Sequence, residues 1–237
     1  MGHGPGEIVT VNFSILGITG MLLSASLAPV SAQAAETCFG RPATIVGTNG
    51  PDTIVGTANG DVIVAKGGND TVSAGDGANG GGGVSNYICG SGGDDVIRGQ
   101  KADDFINGGE GNDDPFGGES DDDGDTFVGG PGNDTFTGQD NPQSDSSPDT
   151  IDYGSTGPIK VNIDTRTITG AAGTDVISDL EQFYEIYGTR FNDVFVDGAA
   201  YAILLYGSRG DDKFTGGWIR HSGWRAGERH DAHTRRP

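Results

Sequence analysis

The chain has 237 residues, 44 of them glycine, and only 33% are hydrophobic. That balance excludes a helix-rich globular domain held together by an ordinary core. Asp and Glu number 34 against 14 Lys and Arg, a formal net charge of −20, which argues against nucleic acid or an anionic membrane as partner and favours cations.

Residues 1–34 read as an export signal: Ile8 to Val30 is mostly apolar, and Ala32-Gln33-Ala34 supplies an A-x-A cleavage site just before Ala35. The expected mature chain is secreted to the extracellular space and has no stable membrane insertion after cleavage. Met1 to Thr10 holds no Lys or Arg, which leaves an uncleaved membrane anchor as the competing reading. Residues 35–46 form a lead-in. Cys38 and Cys89 are the two cysteines, and in an oxidising compartment one disulfide would close a loop of about 50 residues; the alternative is two unlinked thiols.

From Gly47 a nine-residue period begins: GTNGPDTIV at 47, GTANGDVIV at 56 and AKGGNDTVS at 65. Each unit puts an acid sixth (Asp52, Asp61, Asp70) and an apolar residue eighth (Ile54, Ile63, Val72). Glycines allow the positive φ of tight turns and expose backbone carbonyls, the acids add charged oxygen ligands, and the eighth residue enters a narrow core. The 16 residues from Ala74 to Cys89 read as two shortened units, with Asn79 and Asn86 where the acids should be.

Register returns with GSGGDDVIR at 90, GQKADDFIN at 99 and GGEGNDDPF at 108, which supply Asp95, Asp104 and Asp113. Pro115 then occupies an inward strand position and predicts an edge, bulge or break, because it has no N–H for a ladder. GGESDDDGDTFV at 117 carries an insertion before Asp125 and Phe127; its acids Asp121, Asp122 and Asp123 read as a solvated loop rather than an extra cation site. GGPGNDTFT at 129 is a full unit with Asp134, and it reads as the last turn of a first roll spanning 47–137.

Residues 138–187 read as a linker and hairpin-like segment. Gly138 to Pro148 has loop composition, Ile159, Val161 and Ile163 share one strand face, and Ser178 to Tyr187 reads as strand in preference to helix. A second short repeat block, 188–217, contains GTRFNDVFV and GSRGDDKFT, with Asp193 and Asp212 in the ligand place. Residues 218–237 hold five arginines and three of the four histidines and read as an atypical, disordered tail. A His/Arg tail that binds metal or polyanion is the functional alternative to an out-of-frame or truncated end.

With these units in hand, the chain resembles the RTX, or hemolysin-type, calcium-binding repeat family over roughly 47–137 and 188–217. The resemblance implies an all-β parallel β-roll (a solenoid) interrupted by a β-rich segment, with two nonapeptides per turn and Ca²⁺ between half-turns 18 residues apart. It implies metal ligation by Asp52, Asp61, Asp70, Asp95, Asp104, Asp113, Asp125, Asp134, Asp193 and Asp212, with Asp52 beside Asp70, Asp95 beside Asp113, and Asp113 beside Asp134. Catalysis is not expected, since the chain has neither HExxH nor GxSxG. The expected function is a secreted calcium-binding protein whose folding is driven by Ca²⁺. Its alternatives are an adhesive surface module with a cell-surface or matrix partner, and a truncated repeat tail of a secreted hydrolase.

Overall fold

A computed structural model describes residues 35–75, 84–118, 124–138, 149–154, 157–170, 172–179, 183–198 and 203–216. The export signal, Asn79, the acids 121–123 and the tail 218–237 lie outside the described residues, which all belong to one compact unit beginning at Ala35. Every regular element among the described residues is a strand.

Alternate repeat units feed alternate sheets, as a roll with two units per turn requires. One sheet stacks eight parallel strands: β3 (Ile45–Val46), β5 (Val62–Gly67), β7 (Tyr87–Gly92), β9 (Phe105–Glu110), β11 (Thr126–Val128), β13 (Asp149–Asp152), β17 (Phe183–Tyr187) and β19 (Leu204–Tyr206). The facing sheet stacks β4 (Thr53–Val55), β6 (Thr71–Ser73), β8 (Val96–Arg98) and β10 (Asp114–Phe116), also in parallel. The eighth-place residues meet between the sheets: Ile63, Val72, Ile88, Ile97, Ile106, Phe127 and Phe136 are fully buried. Because side chains alternate across a strand, the seventh and ninth places face outward and carry polar residues without penalty.

Pro115 behaves as its chemistry dictates. In β10, the last strand of its sheet, it pairs with Ile97, and because it has no N–H the pairing to the next unit narrows to a parallel bridge between Phe116 and Thr137. The next unit, β12 (Thr135–Phe136), instead joins a third sheet with β16 (Gly173–Ile177), β15 (Thr167–Gly170), β14 (Ile159–Asn162), β18 (Val194–Asp197) and β20 (Lys213–Gly216).

Two readings of the sequence need correction. Ile63 pairs with Ile88, a step of 25 residues that exceeds the 18-residue turn by seven, so the Ala74–Cys89 stretch supplies one unit and seven extra residues rather than two short units. A solenoid accommodates such an insertion at a turn because only the rung has to keep register. The second concerns residues 138–187, read from the sequence as a linker. Its β13 and β17 continue the eight-stranded sheet, and β14 and β15 form the expected hairpin within the third sheet. GGPGNDTFT at 129 is therefore an interior turn and not the last one.

Cys38 and Cys89 form a disulfide with a Cα–Cα distance of 5.8 Å. It fastens β1 (Thr37–Cys38), the first strand of a short hairpin with β2 (Arg41–Pro42), to β7. Phe39 packs edge-on against Tyr87 and Phe105, and the Arg41 guanidinium lies 4.0 Å over the Tyr87 ring.

Candidate metal centre

The sixth-place residues form rows along the stack. In the first row each backbone N–H donates to Oδ1 of the next carboxylate: Asp52 to Asp70 (2.7 Å), Asp70 to Asp95 (2.8 Å), Asp95 to Asp113, Asp113 to Asp134 and Asp134 to Asp175 (each 2.9 Å). The second row runs from Asp61 through Asn86, Asp104 and Asp125 to Asp149 at 2.8–2.9 Å. In the second block Ile159 donates to Asp193 and Asp193 to Asp212, both at 2.8 Å. All ten predicted acids thus stand in rows, and the three pairings implied by the resemblance are neighbours.

Two acids of these rows and one further row are not marked by the repeat pattern. Asp175 sits in GAAGTDVIS, Gly170 to Ser178, which keeps Gly first and fourth, Asp sixth and Ile eighth; the signal was present but hidden inside a hairpin pattern. Asp149 keeps only the sixth and eighth places, Asp149 and Ile151, so its turn carries no glycine mark. A parallel row at the fifth place is also new: Asn69 accepts from the Asp94 N–H, Asp94 from Asn112, Asn112 from Asn133, and Asn133 from Thr174, at 2.8–3.1 Å. The recurrent Asn-Asp and Asp-Asp dipeptides are its sequence signal.

Burial and donor chemistry suit a hard cation. Asp70, Asp95, Asp113 and Asp134 are at most 1% exposed, and Oδ2 of each has no hydrogen-bond partner. A buried carboxylate oxygen without a partner is costly unless a cation or proton meets it. A Cβ placed on Gly90 would run into both Asp95 Oδ2 and the carbonyl oxygen of Gly108, so carboxylate and backbone oxygens crowd the space that this glycine leaves open. Gly111, at φ +130°, plays the other glycine role: a Cβ there would strike the Gly93 carbonyl of the turn below. Among the described residues no three acidic, histidine or cysteine side chains converge on one point, so an ion would draw on these carbonyls as well. Carboxylate plus carbonyl is the donor set of Ca²⁺.

Burial also pushes the carboxyl groups up, with Asp95 raised to about 6 and Asp113 and Asp134 to about 7. Desolvation is the main cause, opposed by the backbone N–H of Asp70, Asp95 and Asp113 respectively and reinforced by neighbouring acids.

A family profile described as the RTX calcium-binding nonapeptide repeat (four copies) matches residues 46–80, 80–115, 89–123, 119–141 and 204–218. The chain carries RTX calcium-binding repeats. The matched residues lie in the parallel roll, and they include the sixth-place acids Asp52, Asp61, Asp70, Asp95, Asp104, Asp113, Asp125, Asp134 and Asp212. The profile stops at 141 and resumes at 204, while the hydrogen-bonded rows run on through Asp149 and Asp175. No curated protein matches the chain.

The raised carboxyls give a pH prediction with opposite signs in the two metal states. Without metal, the folded chain holds more protons than the unfolded one between about pH 4 and 7, so stability falls as pH rises through that window. With saturating Ca²⁺, protons compete with the ion and stability rises over the same window. The urea midpoint in CaCl₂ should rise from pH 5 to pH 8, whereas in EGTA any far-UV β signal retained at pH 5 should fall by pH 8. A shift of the same sign in both would contradict the assignment.

Proposed function

We propose that this chain is a secreted calcium-binding β-roll whose folding is completed by Ca²⁺ outside the cell, acting through binding rather than catalysis. The observation that carries the reading is the line of buried, partnerless Oδ2 atoms on Asp70, Asp95, Asp113 and Asp134. Bound calcium would supply the positive charge that these stacked acids lack. Strands along a sheet lie about 4.8 Å apart, so successive ionised acids repel strongly when buried. The side chains hold the oxygens in place, the backbone N–H groups orient each carboxylate through Oδ1, and the rungs exclude water. Oδ1 of Asp104, Asp125 and Asp212 accepts a backbone N–H in the same way beyond the first row.

Export is supported by the apolar N-terminal run with its A-x-A site and by the Cys38–Cys89 bond, which belongs in an oxidising space. Extracellular modules commonly bind Ca²⁺ at about 0.1–1 mM, above the free level inside a cell, which would delay folding until export. Far-UV circular dichroism and gel filtration of the full chain in EGTA and in CaCl₂ test the coupling. The expected result is a compact β spectrum in calcium and an expanded, disordered chain in EGTA. An unchanged spectrum and elution volume would refute it.

A further inference from the structure

The repeat units fall into two kinds, distinguished by the second residue. In units with Lys66, Ser91, Gly109 or Gly130 at that place, the residue is left-handed, at φ +82°, +82°, +111° and +111°. Their sixth-place acids are Asp70, Asp95, Asp113 and Asp134, and Oδ2 of each has no partner. In units with threonine second, the residue is not left-handed and turns both donors onto its own acid. Thr48 donates to Asp52 Oδ2 from its N–H (2.6 Å) and its hydroxyl (2.9 Å). Thr57 does the same to Asp61 (2.6 and 3.0 Å), and Thr189 to Asp193 (2.7 and 3.1 Å).

A carboxylate oxygen that already accepts two hydrogen bonds has its charge partly balanced and its lone pairs directed at those donors. Calcium would have to displace both. The far end of the first row is closed similarly, since the Tyr153 hydroxyl donates to Asp175 Oδ2. The partnerless segment Asp70–Asp134 is thus bracketed by hydroxyl-capped acids, Asp52 on one side and Asp175 on the other.

Building on the calcium reading, we infer that the second residue of each unit decides whether its turn takes calcium. Threonine makes a closed turn that folds without metal, and a left-handed residue leaves the carboxylate open to the ion. Asp52, Asp61 and Asp193, which the repeat pattern alone ranks with the other acids, are then metal-free caps. They give the roll a stable first turn and a stable restart at 188 from which the calcium-dependent turns can grow.

Equilibrium dialysis of the full chain against saturating ⁴⁵Ca²⁺ tests this, with circular dichroism in the same buffer to confirm that each variant is folded. Asp113→Asn should lose at least one bound ion relative to the unmodified chain. Asp52→Asn and Asp193→Asn should lose none; Asp52 is half-buried, so its variant remains informative if the buried Asp193→Asn chain fails to fold. Loss of as many ions from Asp52→Asn as from Asp113→Asn would overturn the division into open and closed turns. Absence of bound calcium in the unmodified chain would instead overturn the calcium reading itself.

Discussion

Phe127→Ala lowers the stability of the calcium-loaded chain by about 3–5 kcal/mol, the range for a fully buried phenylalanine truncated in a core that cannot collapse around the gap. Phe127 is 0% exposed and sits in β11 between Ile106 and Ile151 on the neighbouring rungs. Its ring meets Phe136 at 6.1 Å and Phe183 at 5.5 Å, both edge-on. Those three rings join the facing sheets where the regular repeats give way to the interrupted ones. Rungs above and below are held by backbone ladders, so they cannot move inward to refill the space. Guanidinium unfolding in CaCl₂ measures the loss, and a change below about 1 kcal/mol would show that this level of the core is loosely packed.

Breaking the strap is the second large effect. Removing both sulfurs with C38A/C89A costs about 4 kcal/mol if the bond acts mainly by restricting the unfolded chain across its 51-residue separation. The bond does more than close a loop. It holds β1 and β2 against the outer surface of β7, where Phe39, Tyr87, Phe105 and Arg41 stack. Unfolding of the double variant beside the unmodified chain, both in CaCl₂, should show the lower midpoint. Equal midpoints would mean that the aromatic stack fastens the lead-in without the bond.

What the sequence made legible was the part in which spacing and chemistry coincide. From Gly47 to Thr137 the acid and apolar places recur with glycine marks between them, which fixes both the rung and the row. Where a turn loses its glycines the row continues unseen: Asp149 follows Ser146-Ser147-Pro148, and nothing local distinguishes it from a loop acid. Asp175 was obscured differently, because Thr167 to Ile177 satisfies a strand alternation and a repeat unit at once. The distinction between threonine-closed and open turns was invisible for a third reason. It depends on the sign of one φ angle, and Lys66 and Ser91 adopt a positive value that residues other than glycine rarely take.

The stack also explains why damaged repeats survive. Asn86 occupies an acid place, yet its amide both accepts from the Asp61 N–H and donates to Asp104 Oδ1 at 2.9 Å. The amide therefore links the Asp61 backbone to the Asp104 carboxylate by hydrogen bonds, where an acid would add a second charge beside Asp104. The second row at that level depends less on metal than the first.

If calcium binding and folding of the open turns are one process, stability and calcium concentration are thermodynamically linked. Unfolding free energy of the full chain, measured by guanidinium titration at Ca²⁺ concentrations from about 1 to 100 mM, should rise continuously, by about 1.4 kcal/mol per tenfold increase for each ion released on unfolding. With several open carboxylates in the first row, the predicted slope exceeds one ion. A stability independent of calcium over that range, or equal in magnesium and in calcium, would contradict the account.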